Sequence, residues 1–325
     1  MANDIYFLAE YAEGSPSRSA IELATGAADL ATQSGGAAVA LAYGGGADEA
    51  AGLGAYGAQR AIVLGDEERP AITFAASAIA AVRDGQPLAV LGPATPNGRD
   101  LAAALVGSLD LPGFGPVRSI AIVDGNVRSE QATLQGSMIT TSEPADGATG
   151  PAILLVLPST FSPEERGATA ELVEPARVED GPFASVKVVE RHPAEARVAN
   201  LEEATVIVAG GRGVGGEAGF ELLQQLADAL GGTVGASRAA ADAGWVPYQL
   251  QIGQTGKVVK PALYIGCGIS GAIQHRVGMQ TAENVVAINK DPDAPIGEFA
   301  DLFVVGDLFA IVPKLIEQIR SRKGS

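Results

Sequence analysis

Short apolar runs alternate with longer Ala-rich stretches of helical periodicity along the first half of the chain. The apolar runs lack the polar and apolar alternation of half-exposed strands, so they predict strands buried on both faces. The predicted strands begin at Ile5, Ala37, Ala61 and Leu88. The predicted helices lie near Asp48, over Ser17 to Gln33 and over Pro70 to Arg83. This order predicts a parallel sheet with helices on its faces.

The pattern changes after Arg118, where two strand-like runs flank Asp124-Gly125. An Asp-Gly pair favours a tight two-residue turn, so these runs predict a hairpin, which we expect to extend the sheet. Another buried strand is predicted from Pro151. The segment from Ser162 to Ala199 contains four prolines among mixed charges and is typical of a linker.

The second half repeats the strand and helix rhythm. The predicted strands begin at Ala204, Gly232, Ala262, Asn284 and Ala300. The predicted helices lie near Ala272, over Gly216 to Leu230 and over Leu308 to Arg322. The chain is therefore predicted to be an α/β protein with two doubly wound parallel-sheet domains. Ligands of such sheets bind beyond the carboxyl ends of the strands.

We place the domain boundary near residue 195, which gives an N-terminal α/β domain over 1–195 and a C-terminal domain over 196–325. The two parts differ in charge. Residues 1–190 hold 10 basic and 24 acidic residues, net -14, and residues 191–325 hold 12 and 14, net -2. An anionic ligand is expected in the nearly neutral C-terminal part, because the acidic part would repel it.

Composition excludes several classes of function. Lys and Arg total 22 against 38 Asp and Glu, a net charge of -16, so a nucleic-acid partner is not expected. One cysteine and two histidines exclude a multi-Cys or His-rich metal site, and no catalytic constellation is visible. The first residues lack the positive charge of a signal peptide and no apolar run approaches the roughly 20 residues of a membrane span. A cytoplasmic protein without direct membrane insertion is expected.

The motif GGRGVGG holds Gly211, Gly213 and Gly216 in the spacing G-x-G-x-x-G between a strand and a helix. Glycines there let backbone amides approach a pyrophosphate at the helix N-terminus. A Gly-rich turn that serves only packing explains the motif equally well. The next strand ends in Ser237-Arg238, where an NAD-binding fold would carry an acidic residue, so a standard NAD site is disfavoured.

The most informative segment is GISGAIQH, from Gly268 to His275, which follows a predicted strand. Its two glycines and Ser270 offer free amides and a hydroxyl to an anionic oxygen or a flavin edge. Cys267 directly precedes it, but no partner arrangement for a nucleophile is recognisable, so we expect a small buried residue without chemistry.

Four segments of the second half, GGRGVGG, VGASRAAADAGWVP, QIGQTGKVVKPALYIGCGISGAIQH and NKDPDAPIGEFAD, resemble the alpha subunit of electron transfer flavoproteins, the FixB-like family. The N-terminal half is similar in strand and helix layout and in length. The resemblance implies a heterodimer with a beta subunit. It also implies a Rossmann-like FAD-binding domain at the C-terminus, an N-terminal domain that packs with the beta subunit, and AMP or a second FAD in that subunit.

The resemblance also implies which residues bind FAD. Carried over position by position, they are Arg212, Ser237, Arg238, Ile252, Gly253, Gln254, Thr255, Ser270, Gly271, Ala272, Ile273, Gln274, His275, Asn289, Asp307 and Leu308. Arg238 matches the arginine over the flavin, whose permanent charge would stabilise an anionic reduced ring. His275 would approach the ring carbonyl O2 with a hydrogen bond or a positive charge. Thr255 would hydrogen-bond ring N5.

The function implied by the resemblance is electron carriage rather than transformation of a substrate. FAD would take electrons from dehydrogenases, commonly the acyl-CoA dehydrogenases of fatty acid β-oxidation, and pass them to a membrane quinone reductase or another acceptor. A second reading is a subunit of an electron-bifurcating complex with two FADs and NADH as donor. A third reading, from another class, is a non-redox regulatory module that binds AMP or ATP.

Overall fold

The computed structural model describes residues 3–12, 14–65, 69–134, 138–145, 147–173, 178, 181, 183, 185–190, 201 and 204–323. The chain divides into two compact units, residues 1–191 and 192–325, each with its own hydrophobic cores. The boundary that the sequence places near residue 195 lies within 191–200, outside the described residues, and it stays a prediction. No helix in the described ranges combines the length and the apolar character needed to cross a lipid bilayer.

The first unit is built on a parallel sheet. Its strands are β1 (Ile5–Ala12), β2 (Ser15–Pro16), β3 (Ala38–Tyr43), β4 (Arg60–Gly65), β5 (Ala89–Pro93), β6 (Gly113–Val117), β7 (Ser119–Val123), β8 (Asn126–Thr133), β9 (Met138–Ser142), β10 (Ala152–Val156) and β11 (Glu171–Val173). Its helices are α1 (Arg18–Ser34), α2 (Ala47–Gly52), α3 (Ala75–Gly85) and α4 (Pro96–Leu109), with short 3-10 turns at Leu53–Tyr56 and Ala71–Phe74. The parallel strand order is β11-β4-β3-β1-β5-β10-β6, and β2 pairs antiparallel with β1.

Local chemistry sets the limits of the first long helix. The Ser17 side chain accepts a hydrogen bond from the amide of Ala20 at 3.1 Å, which satisfies one of the free donors at the start of α1. The helix ends at Gly35, whose φ of 71° is left-handed and favours glycine. The predicted helix over Ser17 to Gln33 is therefore confirmed to within a residue at each end.

The hairpin is confirmed, but its expected place in the main sheet is wrong. Asp124 and Gly125 turn the chain with φ values of 53° and 80°, and β7, β8 and β9 form a separate antiparallel sheet. Along β8, buried and more exposed residues alternate, with Val127 buried and Arg128 exposed. Strands with one exposed face suit an antiparallel sheet of their own, whereas the main sheet is covered on both faces.

A short strand lies where the sequence predicts only linker. Strand β11 pairs with the edge strand β4, with Glu171 opposite Arg60. All three β11 side chains are exposed, so backbone pairing with β4 holds the strand in place. The strand buries no side chain, so its sequence shows no pattern of buried apolar positions. This explains why the sequence gives no signal for it.

The second unit is a five-stranded parallel sheet. Its strands are β12 (Val206–Gly210), β13 (Thr233–Ala236), β14 (Leu263–Cys267), β15 (Val285–Asn289) and β16 (Leu302–Val305). Its helices are α5 (Glu217–Leu230), α6 (Arg238–Asp242), α7 (Ile273–Arg276) and α8 (Leu308–Lys323), with 3-10 turns at Arg212–Val214, Tyr248–Leu250 and Pro295–Glu298. The strand order is β13-β12-β14-β15-β16.

This order confirms the predicted α/β class and creates a crevice. The chain moves from β12 to β13 on one side and then crosses back to β14 on the other. The chain therefore leaves β12 and β14 toward opposite edges of the sheet, and the carboxyl end of such a crossover is the ligand position in doubly wound folds. Apolar side chains cover both faces, with Val208 and Leu223 in one core and Ile207 and Tyr264 in the other.

Candidate functional site

A cavity of about 690 Å³ opens at the carboxyl edge of the second sheet. The loops after β12 and β14 line it, and the segments after β13 and β15 complete its wall. A volume in this range suits a cofactor-sized ligand.

Twelve of the sixteen predicted site residues line this one cavity. They are Arg212, Ser237, Arg238, Ile252, Gly253, Gln254, Thr255, Ser270, Ala272, Gln274, His275 and Asn289. These residues come from five separate loops of the sequence, and the sheet topology brings them together.

The other four predicted residues have different surroundings. The Gly271 backbone lies against Ile296, so that a Cβ on Gly271 would be 2.4 Å from the Ile296 nitrogen. The Ile273 side chain is largely exposed. Asp307 accepts a hydrogen bond from the amide of Phe309 at 2.9 Å at the start of α8, and Leu308 is buried in the core. None of the four is among the residues that line the cavity.

The Gly-rich loop after β12 packs backbone against backbone on the loop after β14. The Gly211 amide donates to the carbonyl oxygen of Cys267 at 2.9 Å. A Cβ on Gly211 would lie 2.3 Å from the carbonyl oxygen of Gly268. Gly216 differs, because it has φ 150° with open space around it and precedes α5. The packing explanation of the motif therefore holds for Gly211, whereas Gly216 supplies the backbone turn into the helix.

Arg238 stands on the cavity wall at the start of α6. Its Nε donates to a carboxylate oxygen of Asp242 at 3.3 Å, and the Tyr248 hydroxyl donates to the other oxygen at 3.1 Å. The Arg238 side chain is 67% exposed and that of Asp242 48%. An ion pair this exposed contributes little, so the guanidinium can turn to a ligand at small cost.

Ser237 presents a polar atom without a partner. Its Oγ is buried and makes no hydrogen bond within the described ranges. It occupies the N-cap position of α6, yet its side chain does not cap that helix. Buried hydroxyls in proteins are almost always hydrogen-bonded, so an unpartnered one in a cavity wall indicates a ligand contact.

One acceptor position of the Thr255 hydroxyl is already occupied. The buried Gln251 donates from Nε2 to the Thr255 Oγ1 at 2.9 Å. The hydroxyl hydrogen of Thr255 then remains free to donate, because a hydroxyl has one donor and two acceptor positions.

His275 is buried and makes a short hydrogen bond with Tyr264, with 2.6 Å between the Tyr264 hydroxyl and Nε2. Burial lowers the pKa of His275 to about 4, although the backbone of Ile252 acts in the opposite direction. The ring is therefore neutral at pH 7 and offers a hydrogen bond rather than a charge. Its Nδ1 has no partner of hydrogen-bonding geometry in the described part of the chain.

The charges on the cavity wall balance. Arg212 and Arg238 carry two formal positive charges, and Asp242 and Asp291 carry two negative ones. Neutral donors must therefore provide much of the recognition of an anionic ligand. Those donors are loop amides, the hydroxyls of Ser237 and Thr255, and His275.

Cys267 contributes no reactive group. It is fully buried at the end of β14, and burial raises the pKa of its thiol to about 12. The thiolate, which is the nucleophilic form, is therefore nearly absent at neutral pH. Among the described residues, no group of three or more His, Cys, Asp or Glu side chains could hold a metal ion.

Three residues with evident roles at the site were not among the predicted ones. Tyr264 and Gln251 hold His275 and Thr255, and Asp242 holds Arg238. Tyr264 carried a usable signal, because a tyrosine in an otherwise aliphatic buried strand needs a partner for its hydroxyl. The sequence gives no comparable indication for Gln251 and Asp242, because their hydrogen-bond partners are set only when the loops fold.

Two family models match the chain, one in each unit. Residues 5–180 match the electron transfer flavoprotein domain, and residues 200–280 match the electron transfer flavoprotein FAD-binding domain. The chain is 40% identical over 335 residues to the electron transfer flavoprotein subunit alpha of Mycobacterium leprae, covering 98% of each chain. It is 40% identical over 328 residues to that of Mycobacterium tuberculosis, covering 99% of each.

A shorter and stronger match is to the electron transfer flavoprotein subunit alpha of Thermoanaerobacterium thermosaccharolyticum. It is 62% identical over 126 residues, which are 39% of this chain and 38% of the relative. The full-length matches confirm the resemblance that the sequence motifs indicate. The chain belongs to the family of electron transfer flavoprotein alpha subunits.

Proposed function

We propose that this chain is the alpha subunit of a heterodimeric electron transfer flavoprotein. Its FAD, held in the cavity of the second unit, accepts electrons from dehydrogenases such as acyl-CoA dehydrogenases and passes them to a quinone reductase or another acceptor. The observation that supports this best is the grouping of twelve predicted residues around one cavity at the strand crossover.

The cavity wall suits FAD. The unpartnered Ser237 Oγ and His275 Nδ1 need hydrogen-bond partners, and FAD is rich in acceptor oxygens and nitrogens. When bound, FAD supplies the electron-accepting ring, and the protein supplies binding, orientation and electrostatics. This division explains why no acid–base constellation is visible in the sequence.

Arg238 provides a permanent positive charge on the cavity wall. Its guanidinium stays protonated at any working pH, so it favours the ligand in its more negative state. Asp242 competes for the same guanidinium through the 3.3 Å ion pair. We infer that the ligand displaces this exposed pair at small cost and that Arg238 then faces the ligand.

Two neutral donors complete the contacts to the ring. Gln251 occupies an acceptor position of Thr255 and leaves its hydroxyl hydrogen for ring N5. His275 would donate to the ring carbonyl O2 as a neutral imidazole, since burial opposes its protonation. The lowered pKa of His275 therefore supports a hydrogen bond from this residue rather than a positive charge.

The first unit packs with the beta subunit, which holds AMP or a second FAD. A nucleotide-binding regulatory role for the first unit itself is disfavoured by one contact at its own strand crossover, between β1 and β5. There the carboxylate of Glu10 accepts a hydrogen bond from the Asn97 side chain at the start of α4. A carboxylate at this position opposes the binding of a phosphate.

The test is to co-produce the chain with a beta subunit of the family and to measure flavin per heterodimer. One FAD that is reduced by an acyl-CoA dehydrogenase and its substrate, without NADH oxidation, supports the carrier function. Two FADs with NADH oxidation would indicate the bifurcating complex instead. A heterodimer that binds no flavin, or one that binds AMP or ATP in the alpha subunit alone, would contradict the proposal.

A further inference from the structure

We propose that Tyr264 is a positioning residue, which fixes the tautomer of His275 so that the ring hydrogen sits on Nδ1 and serves as a donor to the ligand in the cavity. The proton placement is a property of this chain alone. Only the identity of the acceptor as FAD rests on the proposed function.

The two side chains reach each other from different elements. Tyr264 is fully buried on β14, and His275 lies on the short helix α7 that follows the same strand. The 2.6 Å between the hydroxyl and Nε2 is short for a hydrogen bond. The ring centres are 6.2 Å apart at an angle of 57°, so the hydroxyl rather than stacking joins the two residues.

Two proton arrangements are compatible with this distance. If Tyr264 donates to Nε2, the ring hydrogen is on Nδ1. If Nε2–H donates to Tyr264, the phenolic hydrogen needs a separate acceptor in the core, and Nδ1 becomes an acceptor. Because a neutral imidazole carries a hydrogen on only one nitrogen, the hydroxyl decides the role of Nδ1.

The surroundings favour donation by Tyr264. Burial raises the pKa of its hydroxyl well above 10, and Cys267 acts in the same direction, so the phenol keeps its hydrogen. No acceptor other than Nε2 is found for that hydrogen in the described ranges.

The location of the unpartnered donor in each arrangement also favours donation by Tyr264. With the hydrogen on Nδ1, the unpartnered donor belongs to His275, which lines the cavity. With the hydrogen on Nε2, the unpartnered donor would be the hydroxyl of Tyr264, which is not a lining residue. A ligand with an acceptor atom can satisfy the first arrangement but not the second.

If Tyr264 only filled space in the core, the ring alone would be enough and the His275 tautomer would not depend on the hydroxyl. Tyr264→Phe separates this packing role from the positioning role, because it keeps the ring and removes the hydroxyl. The matched control is Tyr11→Phe in the first unit. Tyr11 is also a buried tyrosine, and it donates to the backbone oxygen of Glu49 at 2.8 Å, so Tyr11→Phe likewise removes a hydroxyl hydrogen bond.

The experiment uses the heterodimer with ¹⁵N-labelled histidine in the alpha chain, which contains only two histidines. His192→Gln assigns the other signal. Long-range ¹H–¹⁵N correlations report which ring nitrogen carries the hydrogen, with or without FAD. We expect His275 with hydrogen on Nδ1 in the unaltered chain and in Tyr11→Phe, and a shift toward Nε2–H in Tyr264→Phe.

Hydrogen on Nε2 in the unaltered chain would overturn the proposal, and so would an unchanged tautomer in Tyr264→Phe. This result stands even if the heterodimer binds no flavin, so the two proposals fail separately. Where FAD binds, loss of a hydrogen bond of ordinary strength is expected to weaken FAD affinity by about tenfold in Tyr264→Phe. The same substitution in a His275→Phe background should have no further effect on affinity.

Discussion

The amide of Gly213 donates a hydrogen bond to the carbonyl oxygen of Gly268 at 3.0 Å, which joins the two loops that form the base of the cavity. Gly268 has φ 61°, and a Cβ there would lie 2.7 Å from the Cα of Gly213. The close approach leaves no room for a side chain on either residue.

Gly268→Ala is therefore expected to destabilise the protein by about 3 kcal/mol, from left-handed strain and from the clash together. Gly231→Ala separates these causes, because Gly231 has φ 76° with nothing within 4 Å of its Cβ position. Strain alone should cost about 1 kcal/mol there. Denaturant unfolding measures both, and equal losses would contradict the packing argument.

Ser237→Ala should change stability and binding in opposite directions. Removing an unpartnered buried hydroxyl leaves the free chain as stable or more stable by up to about 1 kcal/mol, whereas FAD binding should weaken. Thermal unfolding and an FAD titration measure the two effects. Ser129→Ala is the control, because the Ser129 hydroxyl accepts from Gln131 at 2.9 Å and its loss should destabilise without touching FAD binding.

The sequence predicts the sheets well because their strands are continuous apolar runs. The runs starting at Ala204, Ala262 and Asn284 each became a parallel strand, and their order placed the cavity residues at one edge. The exposed strand β11 was missed because its pairing is made by the backbone alone. The sequence does not predict the separate sheet of β7, β8 and β9. Alternation of polar and apolar residues indicates a half-exposed strand, but it does not indicate which strand pairs with it.

The site is predictable only in part for a similar reason. Motifs indicate the residues that line the cavity, such as Arg238 and His275, because they lie in the segments that follow β13 and β14. The residues that hold them, such as Asp242 and Tyr264, act through distances that arise only when the loops fold. The role of Gly211 in loop packing likewise depends on a loop more than 50 residues away in sequence.

His275 should make stability depend on pH. Its pKa is lowered from 6.5 to about 4, so between these values the unfolded chain takes up a proton that the folded chain resists. Its contribution is complete above pH 6.5 and is lost as the pH falls toward 4, by roughly 3 kcal/mol in all. His275→Gln should remove this component, and unfolding free energies measured across that range check it. Parallel curves for the two proteins would refute the assignment.

Cys267 should not react with thiol reagents in the native protein. With its pKa raised from 9.0 to about 12, the thiolate is about a thousandfold scarcer than for an ordinary cysteine at the same pH, apart from the effect of burial on access. A thiol assay at pH 8 should detect no cysteine in the folded chain and one after unfolding. Rapid labelling of the folded protein would show that β14 opens at this end.

The midpoint potential of FAD in the heterodimer reports directly on the charge of Arg238. Arg238→Ala should remove about 1–2 kcal/mol of stabilisation of the one-electron-reduced state, which lowers the midpoint potential for the first electron by roughly 40–90 mV. Arg238→Lys keeps the positive charge and should therefore keep most of this stabilisation. Arg320→Ala, which removes an exposed charge on α8 outside the cavity wall, is the control and should leave the potential unchanged. Equal potentials in the unaltered heterodimer and Arg238→Ala would contradict the claim that this arginine holds the added electron on FAD in the cavity.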